Sequence, residues 1–206
     1  YTRPIKSAEK FFLLLMNLQR PWRDSLFFAT KFWHQESLCS YVEKGITIPG
    51  DVQATGQGRC NGTSDQKFYN PDWYAETHFS LVSESSIHGS TFVSEKIFKP
   101  LAFQHPLIVW GTAGTLSYLR QMGFETFGSY IDESYDQEPL DDVRYSKAML
   151  QVMRLAWLED PVQVHQSLKF ALEQNYERLH SLQVQYQWDM REMLHAHIPA
   201  QHWLWN

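Results

Sequence analysis

The feature that most constrains this chain is the unbroken apolar run Phe11 to Met16, FFLLLM, stopped by Asn17. A run this short cannot cross a bilayer, which takes about 20 residues. It has no polar face to offer solvent, so both of its faces must be covered. That is the pattern of a strand in a parallel sheet, buried on both sides.

The rest of the chain supplies more such strands with helices between them. Pro21 opens a helical stretch to about His34, at the position where a first turn tolerates proline. Leu38 to Val42 reads as a second strand. Ile46 to Tyr69 is rich in Gly, Asp, Asn and Gln and reads as an irregular connection. Gly56-x-Gly58 inside it follows no strand and is not a dinucleotide fingerprint. Pro71 to Glu76 fits a short helix, His78 to Ser83 a strand, and Ser94 to Phe103 a helix with Ser94 as N-cap. Pro100 would kink or restart that helix. Pro106 to Trp110 reads as a strand, Thr115 to Met122 as a helix with Gly123 as its C-cap, and Phe124 to Phe127 as a last short strand.

Strand and helix in alternation predict an α/β fold, a Rossmann-like parallel sheet with helices on both faces. From Leu140 onward apolar residues recur at three- and four-residue steps, including Val164, Leu168, Leu172, Leu179, Leu182, Tyr186, Met190 and Met193. This predicts one long amphipathic helix or two shorter ones. The expected organisation is a nucleotide-binding unit over 1–135 and a helical C-terminal extension over 136–206, packed on it as one structural unit.

With 206 residues, 43% apolar and 20% charged, the chain can bury a sizeable core and is not disordered in composition. Its net charge of -5 disfavours a nucleic-acid backbone as partner. No segment is long and apolar enough to span a membrane, and no signal peptide is visible. A cytoplasmic location is expected, with Cys39 and Cys60 as unpaired thiols. In that setting the sequon Asn61-Gly62-Thr63 carries little weight. Trp203 and Trp205 are expected to pack back onto the domain or onto a missing one.

In open α/β sheets ligands bind beyond the carboxyl ends of the strands. Three polar clusters fall there. Asn17, Arg20 and Arg23 leave the first strand and enter a helix, where guanidinium forks match phosphate oxygens. The alternative is solvated surface arginine. Glu84 and Ser85 follow a strand, and Ser94, Glu95, Lys96 and Lys99 open a helix. A carboxylate there can accept from two ribose hydroxyls while a lysine neutralises a diphosphate; a purely structural cap is the equal alternative. The turn Gly111 to Thr115 can cradle an anion or be only a tight turn.

Taken in order, these residues resemble the donor-binding, C-terminal half of α-1,3-fucosyltransferases. Met16-Asn17 with Arg20 and Arg23 resembles the family's strand ending in Ser-Asn with a following Arg. Ser83-Glu84-Ser85-Ser86 resembles its Phe-Glu-Asn-Ser. Phe92-Val93-Ser94-Glu95-Lys96 resembles Tyr-Val-Thr-Glu-Lys, and Pro106 to Gly111 resembles its Pro-Val-x-x-Gly strand. The resemblance covers about residues 10 to 130. Ser85 stands where the family has Asn, and Phe92 where it has Tyr.

The resemblance implies a GT-B glycosyltransferase that takes a nucleotide diphosphate sugar, GDP-sugar favoured, and transfers the sugar to a glycan or other hydroxyl acceptor. It implies binding residues Asn17, Arg20, Arg23, Glu84, Ser85, Ser94, Glu95, Lys96 and Gly111. Glu95 would hold the ribose, Lys96 with Arg20 or Arg23 the diphosphate, and Glu84 the sugar side. No metal or other cofactor is implied, and the chain has no Asp-x-Asp. The catalytic base of the family lies in an N-terminal acceptor domain, which is expected to be missing here. A non-catalytic interaction or scaffold module on the same fold is the second expectation.

Other chemistries are disfavoured. The chain has no Gly-x-Ser-x-Gly and no P-loop. Of nine histidines, His195, His197 and His202 are the densest group, but i and i+2 point to different sides of a helix. The acidic stretch Asp132 to Asp142 reads as a solvated loop.

Overall fold

A computed structural model describes residues 9–48, 70–157 and 160–197. The connection 49–69, with Cys60, Gly56-x-Gly58 and the sequon Asn61-Gly62-Thr63, lies outside the described residues. So do His202, Trp203 and Trp205.

The apolar run forms β1, Lys10–Met16. It is flanked on one side by β2, Leu38–Tyr41, and on the other by β3, Thr77–Ser83, beyond which lies β4, Leu107–Trp110. All three pairings are parallel, in the order β2-β1-β3-β4. The sequence reading of β1 as doubly buried holds: Phe12, Leu13 and Leu14 are each at most 1% exposed, though consecutive residues face opposite ways.

Register assigns the two faces. Leu14 and Met16 pair with Cys39 and Tyr41 and share one face with them. Helix α1, Pro21–Ala29, covers this face through Leu26 and through Phe27, whose ring meets Tyr41 at 5.5 Å. Helix α5, Asp141–Trp157, packs there against β4 and β1. The other face carries Leu13, which clusters with Trp73 and Tyr74 of α2, Pro71–Glu76. Helix α3, Glu95–Ala102, packs on β3 and β4 and is backed by α6, Pro161–His197. Steps from β1 to β2 and from β3 to β4 run in opposite directions, so right-handed crossovers put α1 and α3 on opposite faces. The molecule is thus a doubly wound, Rossmann-like α/β fold whose C-terminal helices supply part of both covering layers.

Three expectations change. Helix α1 stops at Ala29 and a 3-10 turn, Lys31–Trp33, follows. At this end the Leu26 carbonyl oxygen accepts from both the N–H of Thr30 at 3.0 Å and its hydroxyl at 2.9 Å. Helix α3 runs through Pro100 without a break. In so short a helix the missing N–H leaves only the Lys96 carbonyl without its usual i+4 donor. Phe124 to Phe127 is not a strand. Side chains take its backbone groups: Asn175 accepts from Glu125 N and donates to Glu125 O, both at 2.8 Å, and Glu133 accepts from Phe127 N.

Candidate functional site

The strand order reverses direction between β1 and β3, and this switch point is where doubly wound sheets open a crevice. A cavity of about 330 Å³ begins there. Its mouth is formed by Asn17, Arg23, Ser85, Ser94, Glu95 and Lys96; from the mouth it runs under the sheet toward Leu13, Trp73 and Tyr74.

The mouth is organised by Glu84. Its backbone N–H extends the β3–β4 ladder by donating to Trp110 O at 3.0 Å. This draws its side chain fully under the surface, 0% exposed. A buried carboxylate must be met by donors. Here Ser94 N donates at 2.9 Å, Ser94 Oγ at 2.6 Å and Ser85 N at 3.2 Å. The carboxylate therefore fixes the residue that caps α3. Ser94 Oγ in turn accepts from Lys96 N at 3.4 Å and from Lys96 Nζ at 3.1 Å. The Lys96 ammonium also donates to Ser85 Oγ at 3.1 Å and stands 3.7 Å from Glu84 and 3.5 Å from Glu95. Its side chain is 26% exposed and borders the cavity. Glu95, 56% exposed, lines the same mouth. One turn further along α3, Lys99 also lines the cavity; burial holds its ammonium below the ordinary lysine range, with Glu95 opposing and Lys96 adding to that effect.

The arginines divide. Arg23 is 4% exposed and borders the cavity. Its guanidinium donates to Leu18 O at 2.9 Å, Glu84 O at 3.4 Å and Ser83 O at 3.5 Å. It thereby clamps the ends of β1 and β3 together, and its NH groups are directed at carbonyl oxygens. Its Nε and the nearby Ser83 Oγ are buried with no hydrogen-bond partner. Burial lowers its pKa, yet an arginine stays charged. Arg20 is exposed, is not part of the cavity wall, and donates to Gln19 O at 2.8 Å.

Of the residues expected to bind, Asn17, Arg23, Ser85, Ser94, Glu95 and Lys96 are brought together at one opening. Glu84 and Gly111 stand behind it. Gly111 is buried with its Cα against the stem of Glu84: a Cβ there would lie 3.4 Å from Glu84 Cγ and 3.1 Å from Val109 Cγ1. The start of the helix after Gly111, α4, Thr115–Gln121, is already taken. Asp136 accepts from Leu116 N at 2.8 Å and Ser117 N at 2.9 Å, so this turn is a capped helix start rather than an anion cradle.

Asp136 itself corrects the reading of Asp132 to Asp142 as solvated. It is 2% exposed, and Glu133 accepts from Thr126, Phe127 and Arg120. Sequence reasoning also missed Arg144. This residue is 3% exposed and donates to Gly111 O, Ile87 O and Glu138 O at 3.1, 3.2 and 2.9 Å. It also pairs with Asp141. The sequence signal for it was faint: an arginine at an apolar step of α5. Cys39 is free and buried, and that burial pushes its thiol pKa up to about 12. The side chains of His195 and His197 lie outside the described residues. Among the described residues no helix is long and apolar enough to cross a membrane. No protein-family model, curated protein or solved structure matches the chain.

Proposed function

We propose that this chain is the donor-binding part of a glycosyltransferase that uses a nucleotide diphosphate sugar, a GDP-sugar by preference, and a hydroxyl acceptor. The observation that carries the reading is the mouth at the β1/β3 switch point. There a lysine, a capped helix start and an exposed carboxylate face one cavity, in the order in which the sequence resembles fucosyltransferases. Lys96 faces the diphosphate and stabilises charge that develops on it as the sugar leaves. The start of α3 adds a favourable dipole; its Ser94, Lys96 and Ile97 amides are bonded to Glu84, to Ser94 Oγ and to Ser94 O. Glu95 accepts from the ribose hydroxyls. Glu84 holds Ser94 and Lys96 in place and does not touch the ligand. Arg23 sets the separation of the two strand ends.

Calorimetry with GDP tests the assignment. Lys96→Ala and Glu95→Ala each remove a charge-assisted hydrogen bond and should cost about 1.5–3 kcal/mol, roughly a tenfold to hundredfold rise in Kd. Unchanged affinity in both variants would sink the site. A second reading, a scaffold module on a nucleotide-binding fold, is favoured by the way Arg23 and Glu84 are committed to the fold. A thermal-shift series with GDP, UDP, ADP and dTDP separates the two, because a ligand that binds only the native state raises Tm. No shift with any of them supports the scaffold.

A further inference from the structure

The cavity does not end at its charged mouth. From Asn17 back to Leu13 along β1 it extends about 13 Å, at ~3.3 Å per strand residue. Lys96 and Lys99 lie one helical turn apart, on the same side of α3. Together they mark the polar half. Beyond them the walls are Leu13, Leu15, Val82 and Pro100, with Trp73 and Tyr74 closing the far end. The Tyr74 ring is held rigid by stacking on Phe103 at 4.5 Å.

Nucleobase edges are distinguished by bidentate amides, carboxylates or guanidiniums. Among the described residues that line this inner half, none carries such a group. The hydroxyls of Ser40, Ser80, Ser83 and Tyr74 and the Trp73 indole are its polar side-chain atoms; Ser80 Oγ is bonded to His105 Nδ1 at 2.8 Å, and Ser83 Oγ is buried with no hydrogen-bond partner. Toward the carboxyl ends the β1–β2 ladder runs from Leu13 to Met16 and the β3–β4 ladder from Ser80 to Ser83, whereas the β1–β3 ladder ends at Leu13 and Ser80.

We infer that the inner half is a subsite for an apolar or aromatic body carried on a diphosphate, gripped by area and shape rather than by a hydrogen-bond pattern. The ligand class is an amphipathic diphosphate ester with its anion at Lys96 and Lys99 and its body under the sheet. The site then ranks bases within a tenfold range, any preference for GDP falling inside that range, and accepts a plain hydrocarbon in place of a base. This rests on the reading of the mouth as a diphosphate site and adds what the interior selects.

The test is calorimetry with inorganic pyrophosphate, monoalkyl diphosphates from ethyl to octyl, and GDP, UDP and ADP. The expected result is pyrophosphate binding, a Kd that falls by about fourfold per added methylene as the chain enters the chamber, and nucleotides within tenfold of one another. Leu15→Phe and Ser40→Leu, which fill the chamber from β1 and β2, should compress the ratio between octyl and ethyl diphosphate. Two chamber variants are used so that a folding defect in one leaves the other to report; thermal melts check both. If pyrophosphate binds but chain length has no effect, or one base is preferred by more than tenfold, the subsite is overturned and the diphosphate site stands. If neither pyrophosphate nor any ester binds, the diphosphate site fails and the subsite with it.

Discussion

Glu84 shows how far one residue's role can sit from its appearance in a sequence. A glutamate beside two serines reads as a polar loop residue available to a ligand. Its depth comes from the bond between its N–H and Trp110 O, a partner far along the chain. Local pattern does not report such a pairing. Ser94 was legible because capping is local: its hydroxyl serves an amide two residues on. Gly111 depends on the same buried carboxylate. It needs no special backbone freedom; what it supplies is the space that the Glu84 stem occupies. Gly111→Ala should therefore destabilise the fold by about 1–3 kcal/mol, the usual cost of overpacking a filled interior. The added methyl comes within 3.1 Å of Val109 Cγ1, which must give, and meets the Glu84 stem at 3.4 Å, an ordinary contact, so stability should fall while GDP affinity of the folded protein changes little. Urea denaturation and calorimetry on the variant check both; unchanged stability would show that the Val109 contact is slack.

At the level of elements, the strands and most helices could be read because each is fixed by its own periodicity and end signals. β1 is the clearest, with no polar residue from Phe11 to Met16 to place at a surface. The misreading at Phe124 to Phe127 has the opposite cause. Its apolar residues are buried, Phe124 at 3% and Phe127 at 2% exposure, so the pattern was real. What it lacks is a neighbouring strand, and side chains of Asn175 and Glu133 answer its backbone instead. The acidic segment was misread for a related reason. Composition suggested water, whereas Asp136 is turned in to cap α4. Two charge-assisted bonds to buried amides predict that Asp136→Ala costs about 2–3 kcal/mol. Asp136→Asn keeps one side-chain acceptor and should cost less. Chemical denaturation gives both values; equal stability of the alanine variant and the native chain would mean that water can replace the cap.

For the whole molecule, alternation of strand and helix announced a parallel sheet, but not the order β2-β1-β3-β4, which is set by pairings between distant segments. The site inherits that order, since it exists where the order reverses. Arg144 is the residue that holds this edge together, and it belongs to the helical region that the sequence presented as an extension. From α5 it reaches the loop after β4 through Gly111 O, the loop after β3 through Ile87 O, and its own entry segment through Glu138 O. Arg20 offers the contrast: the same residue type, exposed, with Gln19 O as its side-chain bond. Arg144→Met retains most of the buried stem but leaves the Gly111 and Ile87 carbonyls without their donor and the Asp141 carboxylate without its guanidinium. Buried carbonyls left without a donor, with Asp141 itself 27% exposed and 2.6 Å from His88 Nδ1, predict a cost of about 2–3 kcal/mol. Arg20→Met should stay within about 0.5 kcal/mol, as surface changes do. Arg144→Lys should fall between the native chain and the methionine variant, since an ammonium keeps the charge but cannot span the same carbonyls. The loop held at Ile87 follows Glu84 and Ser85 directly, so GDP affinity should weaken in the order Lys, then Met, at temperatures where both variants remain folded. Denaturation curves for the three variants, with calorimetry alongside, decide it. An Arg144→Met protein as stable as Arg20→Met would remove Arg144 from this role and leave the carboxyl edge of the sheet to be held by Arg23 alone.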